Sequence, residues 1–156
     1  MKDQIPKKLW LIVLAGFLLR LALVWTPPAL NSDELIKVYD GACVWSTGMD
    51  HHGQRWPLFF KQSGEYSPPL YIYLSGLVAW LGGITPLTVR LLSVFLGTAC
   101  ILLAFGLGRA MRGRQLGEWM ALLVAFSPWN LHYSRIGWEV ILAVTLQLGA
   151  LVYFFR

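Results

Sequence analysis

The sequence predicts an all-α, polytopic membrane protein, with about four transmembrane helices and surface-lying helices in its first outer loop. Three observations predict it. Only 13% of the 156 residues are charged, against roughly 25% in a soluble domain. Apolar residues make up 56% of the chain, give a mean hydropathy of +0.56 and are gathered into long blocks. Basic residues sit in clusters beside those blocks, where they set topology. The net charge of +5 therefore implies no nucleic-acid partner.

The first block runs from Leu9 to Trp25, after Lys2, Lys7 and Lys8. No small-x-small cleavage site follows it, only Thr26-Pro27-Pro28, so it reads as an uncleaved helix with a cytoplasmic N-terminus. Arg20 lies near its far end, within snorkelling reach of the headgroups. A polar region, Thr26 to Pro68, opens the first outer loop (26–86). Within it "NSDELIKVYDGACVWSTG" predicts a short amphipathic helix. Asn31 or Ser32 can cap it, Asp33 and Glu34 suit its positive end, and Gly48 stops it. Leu35, Val38, Ala42 and Trp45 form the stripe expected to face the bilayer. "GMDHHG" reads as a turn.

"PPLYIYLSGLVAWLGG" has an apolar core of roughly fourteen residues, short of the ~20 that span, so it reads as interfacial or re-entrant. Leu87 to Gly108 is long enough to span and ends in "RAMRGR". Leu116 to Phe126 continued by Ser127 to Leu131 makes the third span, and Val140 to Phe155 the fourth, closed by Arg156. Were Pro69 to Gly83 to span, the arginine cluster would land outside, against the positive-inside tendency. With that segment on the outer surface, "RAMRGR" joins the N-terminal lysines in the cytoplasm. "SPWNLHYSRIGWE" then faces the same outer compartment as "NSDEL" and "EYSPPLY". The chain is thus expected to be a multi-pass protein of the plasma (inner) membrane. Cys43 and Cys100 are expected at different depths, without a disulfide. No glycine-rich phosphate loop, CxxC pair or HExxH occurs.

The outward groups admit both a chemical and a structural reading. Asp33 and Glu34 could supply a general base or cation ligands, or simply charge the first turn of a helix. His132, Arg135 and Glu139 are spaced to share one helical face, as part of a site or as an interfacial ion pair. Arg90, one turn into its block, could bind an anionic headgroup or snorkel. Carboxylates with arginines and a histidine at a bilayer surface suit a lipid-linked phosphate substrate. The arginines would neutralise the phosphate while a carboxylate deprotonates an incoming hydroxyl.

The segments "LLRLAL", "SDE", "STGMDHHGQRWPLFF", "GEYSPPLYIYL", "LTVRLLSVFLGT" and "SPWNLHYSRIGWE" occur in an order and spacing that, over nearly the whole chain, resembles one family. It is the N-terminal part of the type-C glycosyltransferases, near the protein O-mannosyltransferases and aminoarabinose transferases. The resemblance implies transfer of a sugar from a polyprenyl-phosphate carrier to a hydroxyl acceptor (protein, lipid or glycan), with inversion, at the outer face. It implies Asp33 as base, Glu34 as its motif neighbour, and Glu139 as the acidic residue of the second outer loop. A divalent metal ion, with Asp33 and Glu139 as ligands, is a possible cofactor. Arg90, His132 and Arg135 become candidates for the carrier phosphate, and Tyr66 and Tyr71 for the lining of the site. Ser67 stands where relatives often carry a charged residue or histidine before the Pro-Pro pair. Family members are much longer, so residues 1–156 are expected to be an N-terminal membrane module. The alternative is an inactive membrane fragment or subunit that assembles with another protein.

Overall fold

A computed structural model describes residues 6–26, 29–62 and 64–155. Lys2, Pro27, Pro28 and Arg156, which the topology expectation uses, lie outside the described residues. The fold is mostly helical. Its helices are α1 (Lys7–Leu23), α2 (Ser32–Thr47), α3 (Pro69–Gly82), α4 (Pro86–Arg112), α5 (Arg114–Phe126), α6 (Pro128–Ser134) and α7 (Val140–Phe154). A small antiparallel hairpin, β1 (Phe60–Gln62) with β2 (Glu65–Ser67), stands between α2 and α3 and was not expected.

The local signals explain the boundaries. Asn31 Oδ1 accepts the Glu34 N–H at 2.8 Å while Glu34 Oε2 accepts the Asn31 N–H at 3.1 Å, a reciprocal cap that starts α2. Gly48, at φ 77°, ends it in the left-handed conformation that glycine adopts without strain. Thr85 and Thr88 cap α4 in the same reciprocal way, ahead of Pro86 in its first turn. Pro128 breaks the expected third span: it lacks an N–H and disfavours helix at Ser127, so α5 ends at Phe126 and α6 starts afresh.

Helix lengths support one of the four expected spans directly. Among the described residues one helix, α4, is long and apolar enough to cross a membrane, with a mean hydropathy of 2.2 over an 18-residue stretch. The 17 residues of α1 and 15 of α7 rise about 22–26 Å, below a hydrocarbon core of ~30 Å.

α4 is the central post. Leu9 of α1 packs with Ile101 and Phe105 of α4 and Ala121 and Ala125 of α5. Cys100 of α4 packs with Tyr71 of α3 and with Ile141 and Leu142 of α7. α1 runs antiparallel to α4, since Leu9 meets Phe105 while the Val24 carbonyl meets Arg90. Lys8 and Arg109 therefore belong to one end of the molecule, and α2, the hairpin and the start of α7 to the other. Cys43 and Cys100 are free thiols.

Arg20 does not snorkel. It is fully buried and donates to Gly16 O (2.8 Å), Ala125 O (3.1 Å), Val124 O (3.2 Å), Asn130 Oδ1 (2.5 Å) and Ser134 Oγ (3.2 Å). The Val124 carbonyl needs an outside donor because the residue four places on is Pro128. The Ser-Pro break and the buried arginine are thus one device that ties α1 to the α5–α6 corner.

The buried stripe of α2 also differs from the one expected. Glu34, Lys37, Val38, Gly41 and Val44 face inward, while Leu35 is exposed. Close backbone contact with α3 sets this rotation: a Cβ on Gly41 would lie 2.2 Å from the Ile72 carbonyl oxygen. The "GMDHHG" stretch is a turn built by Asp50, whose Oδ1 accepts the N–H groups of His52 (3.0 Å) and Gln54 (2.8 Å). His51 pairs with the buried Asp40.

Candidate functional site

Asp33 and Glu34 are neighbours in sequence, but successive helical residues point about 100° apart. The helix sends them to different environments. Glu34 turns inward, where Arg90 holds both its oxygens, Nε to Oε1 at 2.9 Å and Nη2 to Oε2 at 3.0 Å. The Gly137 N–H adds a third bond to Oε1, at 2.7 Å. Arg90 also donates to the carbonyls of Val24 (2.7 Å) and Ala29 (3.0 Å). Both side chains are wholly buried. Burial by itself would raise the Glu34 pKa. The hydrogen bonds from Arg90, Gly137 and Asn31, with the Arg90 charge, outweigh it and hold the carboxyl below its ordinary range. Glu34 and Arg90 are therefore each other's partners in this structure. They form a clamp joining the end of α1, the start of α2, α4 and the turn before α7.

Asp33 turns outward. It lines a polar cavity of about 270 Å³ with Ile36, Lys37, Gln62, Glu65, Ser67 and Glu139. Three elements build the cavity: one face of α2, the inner face of the hairpin and the first residue before α7. The fold thus brings Asp33 and Glu139, more than a hundred positions apart, to one recess. Lys37, nine-tenths buried, forms an ion pair with Glu139 and stands 5.8 Å from the centre of the Trp138 ring.

The other expected site residues lie elsewhere. His132, Arg135 and Glu139 do not share a helical face, because α6 ends at Ser134 and α7 begins at Val140. His132 and Arg135 are neighbours in that corner, with Arg135 Nη2 3.5 Å from His132 Nδ1 and Nη1 3.5 Å from Thr26 Oγ1, but neither lines the cavity. Tyr66 projects from the outer face of the hairpin, 69% exposed. Tyr71 is buried, its hydroxyl bonded to Ser93 Oγ at 2.8 Å.

Glu139 spends its charge on the Lys37 ammonium, and among the described residues no group of three His, Cys, Asp or Glu is placed to hold a metal. Lys37, Gln62, Glu65 and Ser67 were missed as lining residues. Lys37 had a legible signal, four positions after Asp33 and so on its face of the helix. The hairpin residues had none, since their strands are only three residues long.

No family model, curated protein or solved structure matches the chain.

Proposed function

We propose that this chain is the membrane module of an inverting glycosyltransferase, which moves a sugar from a polyprenyl-phosphate carrier to a hydroxyl acceptor at the outer membrane face. The observation that carries the reading is the shared cavity of Asp33 and Glu139. The carboxylate of Asp33 is exposed and no described group bonds it, so it is available as a base. In the proposed step Asp33 takes the acceptor's hydroxyl proton as that oxygen attacks the anomeric carbon. The bond from that carbon to the phosphate oxygen breaks, and polyprenyl phosphate leaves with the electron pair. The Lys37–Glu139 pair orients the acceptor across the cavity. Arg135 and His132, at the neighbouring corner, receive the leaving phosphate. The Glu34–Arg90 clamp positions Asp33 by fixing the first turn of α2.

The reading includes four crossings, by α1, α4, the α5–α6 pair and α7, with the N-terminus in the cytoplasm. Its support is the segregation of charge: Lys8 and Arg109 belong to the end of the bundle opposite the cavity.

The test uses the full chain in lipid nanodiscs, supplied with polyprenyl-phosphate sugars and with alcohols as acceptors. The expected result is transfer by the natural sequence and its loss, by ~100-fold or more, in Asp33→Asn with carrier binding retained. Full transfer in Asp33→Asn would remove Asp33 from the base role. Absence of both carrier binding and transfer in the natural sequence would remove the reading as a whole.

A further inference from the structure

The hairpin carries a polar atom with nowhere to go. Gln62 Nε2 is buried and has no hydrogen-bond partner among the described residues. Such donors rarely go unpaired in a folded protein. The hairpin register explains its placement. Phe60 pairs with Ser67 and Gln62 with Glu65, so these four side chains share one face, and Lys61 and Tyr66 share the other. Phe60 is fully buried against Val44 and Ile72, which presses that face toward α2. Gln62, Glu65 and Ser67 consequently line the same cavity as Asp33. The Ser67 hydroxyl donates to Gln62 Oε1 at 3.0 Å, leaving Nε2 as the end without a partner among the described residues. The amide is held by its oxygen, and Gln62 is a lining residue of the cavity.

We propose that Gln62 is a specificity-determining residue that recognises the sugar: its NH₂ donates to hydroxyl oxygens of one uncharged sugar ring, whose other hydroxyls donate to Glu65 and Asp33. The inference rests on the glycosyl-transfer reading and names the substrate class at that site. The charge of the lining selects against an acidic ring. With Lys37 and Glu139 neutralising each other, Asp33 and Glu65 leave the cavity with an excess of negative charge. A uronic acid would meet like charge, whereas a neutral polyol finds both donors and acceptors. The recess, about 270 Å³, has room for a single ring. Ser67 acquires a role here: in place of a charged side chain before the Pro-Pro pair, this chain has the hydroxyl that orients Gln62.

The test is saturation-transfer NMR on the full chain in nanodiscs, using a panel of neutral methyl glycosides and the methyl glycoside of glucuronic acid as probes. The natural sequence is expected to bind at least one neutral glycoside and to bind the glucuronide more weakly. Gln62→Ala is expected to weaken that binding about tenfold, as for one lost hydrogen bond. Gln62→Glu keeps an acceptor for Ser67 but replaces the NH₂ with an anion, so it loses binding even if the Ala variant is destabilised. Lys61→Ala, on the opposite hairpin face, leaves binding unchanged. Equal binding by the natural sequence and Gln62→Glu, or preference for the glucuronide, would overturn the role of Gln62 while leaving sugar transfer and the loss in Asp33→Asn standing. Transfer activity with no glycoside bound would likewise overturn this inference alone. Neither binding nor transfer would remove the functional reading beneath it.

Discussion

Two adjacent carboxylates with opposite fates show how much a single helical step decides. Glu34 is satisfied by four donors from three parts of the chain, while Asp33 has none among the described residues. Glu34→Gln is therefore expected to destabilise the protein by about 3–5 kcal/mol, the cost of leaving a buried charge without its counterion. Asp33→Asn is expected to change stability by no more than about 0.5 kcal/mol, as at an exposed position. Thermal unfolding of both variants in one detergent checks the contrast. The pH dependence has a definite sign. The folded-state pKa of Glu34 is depressed from 4.5, so its contribution is fully present above that value and is lost as the pH falls through the lower folded value. Unfolding temperature is expected to drop as the pH falls below 4.5, and Glu34→Gln to show a smaller drop. The residue types of this clamp were legible, since Arg90 and Glu34 both stood out as charges near apolar blocks. Their pairing was not, because nothing local in a sequence joins positions 34 and 90.

At the scale of elements, the punctuation was largely readable and the docking was not. Asn31 and Gly48 mark the ends of α2 by chemistry that acts within a few residues. The hairpin escaped notice because alternation cannot be recognised over strands of three residues. The face of α2 was misjudged for a related reason: counting apolar residues favours Leu35, but the close α2–α3 crossing at Gly41 and Gly76 dictates the rotation. That crossing gives a third prediction. Gly41→Ala would place a methyl 2.2 Å from the Ile72 carbonyl oxygen. The helices must separate, at a cost of about 1–3 kcal/mol. Because α2 carries Asp33 and Lys37 while α3 follows directly on β2, the cavity widens with them. Loss of transfer and of glycoside binding, with the α1–α4–α5 packing retained in hydrogen exchange, is the expected result.

Taken as a whole, the molecule has two unlike ends. Its basic end gathers Lys8, Arg109 and the turn at Gly113, and its other end carries α2, the hairpin and the cavity. This polarity was the most readable feature of the sequence, because it depends only on where charges fall along the chain. The convergence of Asp33 and Glu139 followed from it, while the Lys37–Glu139 pair did not, since which cation meets Glu139 depends on how α7 is entered. The corresponding prediction is made in cells. With Cys43 and Cys100 replaced, a cysteine at Ser127 is expected to react with an impermeant maleimide from outside, and one at Arg112 only after the membrane is opened. Labelling of both from the same side would refute the four-crossing arrangement.

The anchorage of Arg20 has a consequence for how the protein is made. Its guanidinium emerges from the ribosome with the first helix, but Val124, Ala125, Asn130 and Ser134 follow more than a hundred residues later. At ≈ 5–20 residues per second that is a wait of seconds, during which the guanidinium is without these partners. Nascent chains stalled before residue 124 are expected to leave the first helix loosely held and open to extraction, and chains stalled well beyond residue 134 to hold it fast. A buried arginine here sets a schedule for biosynthesis as well as a contact.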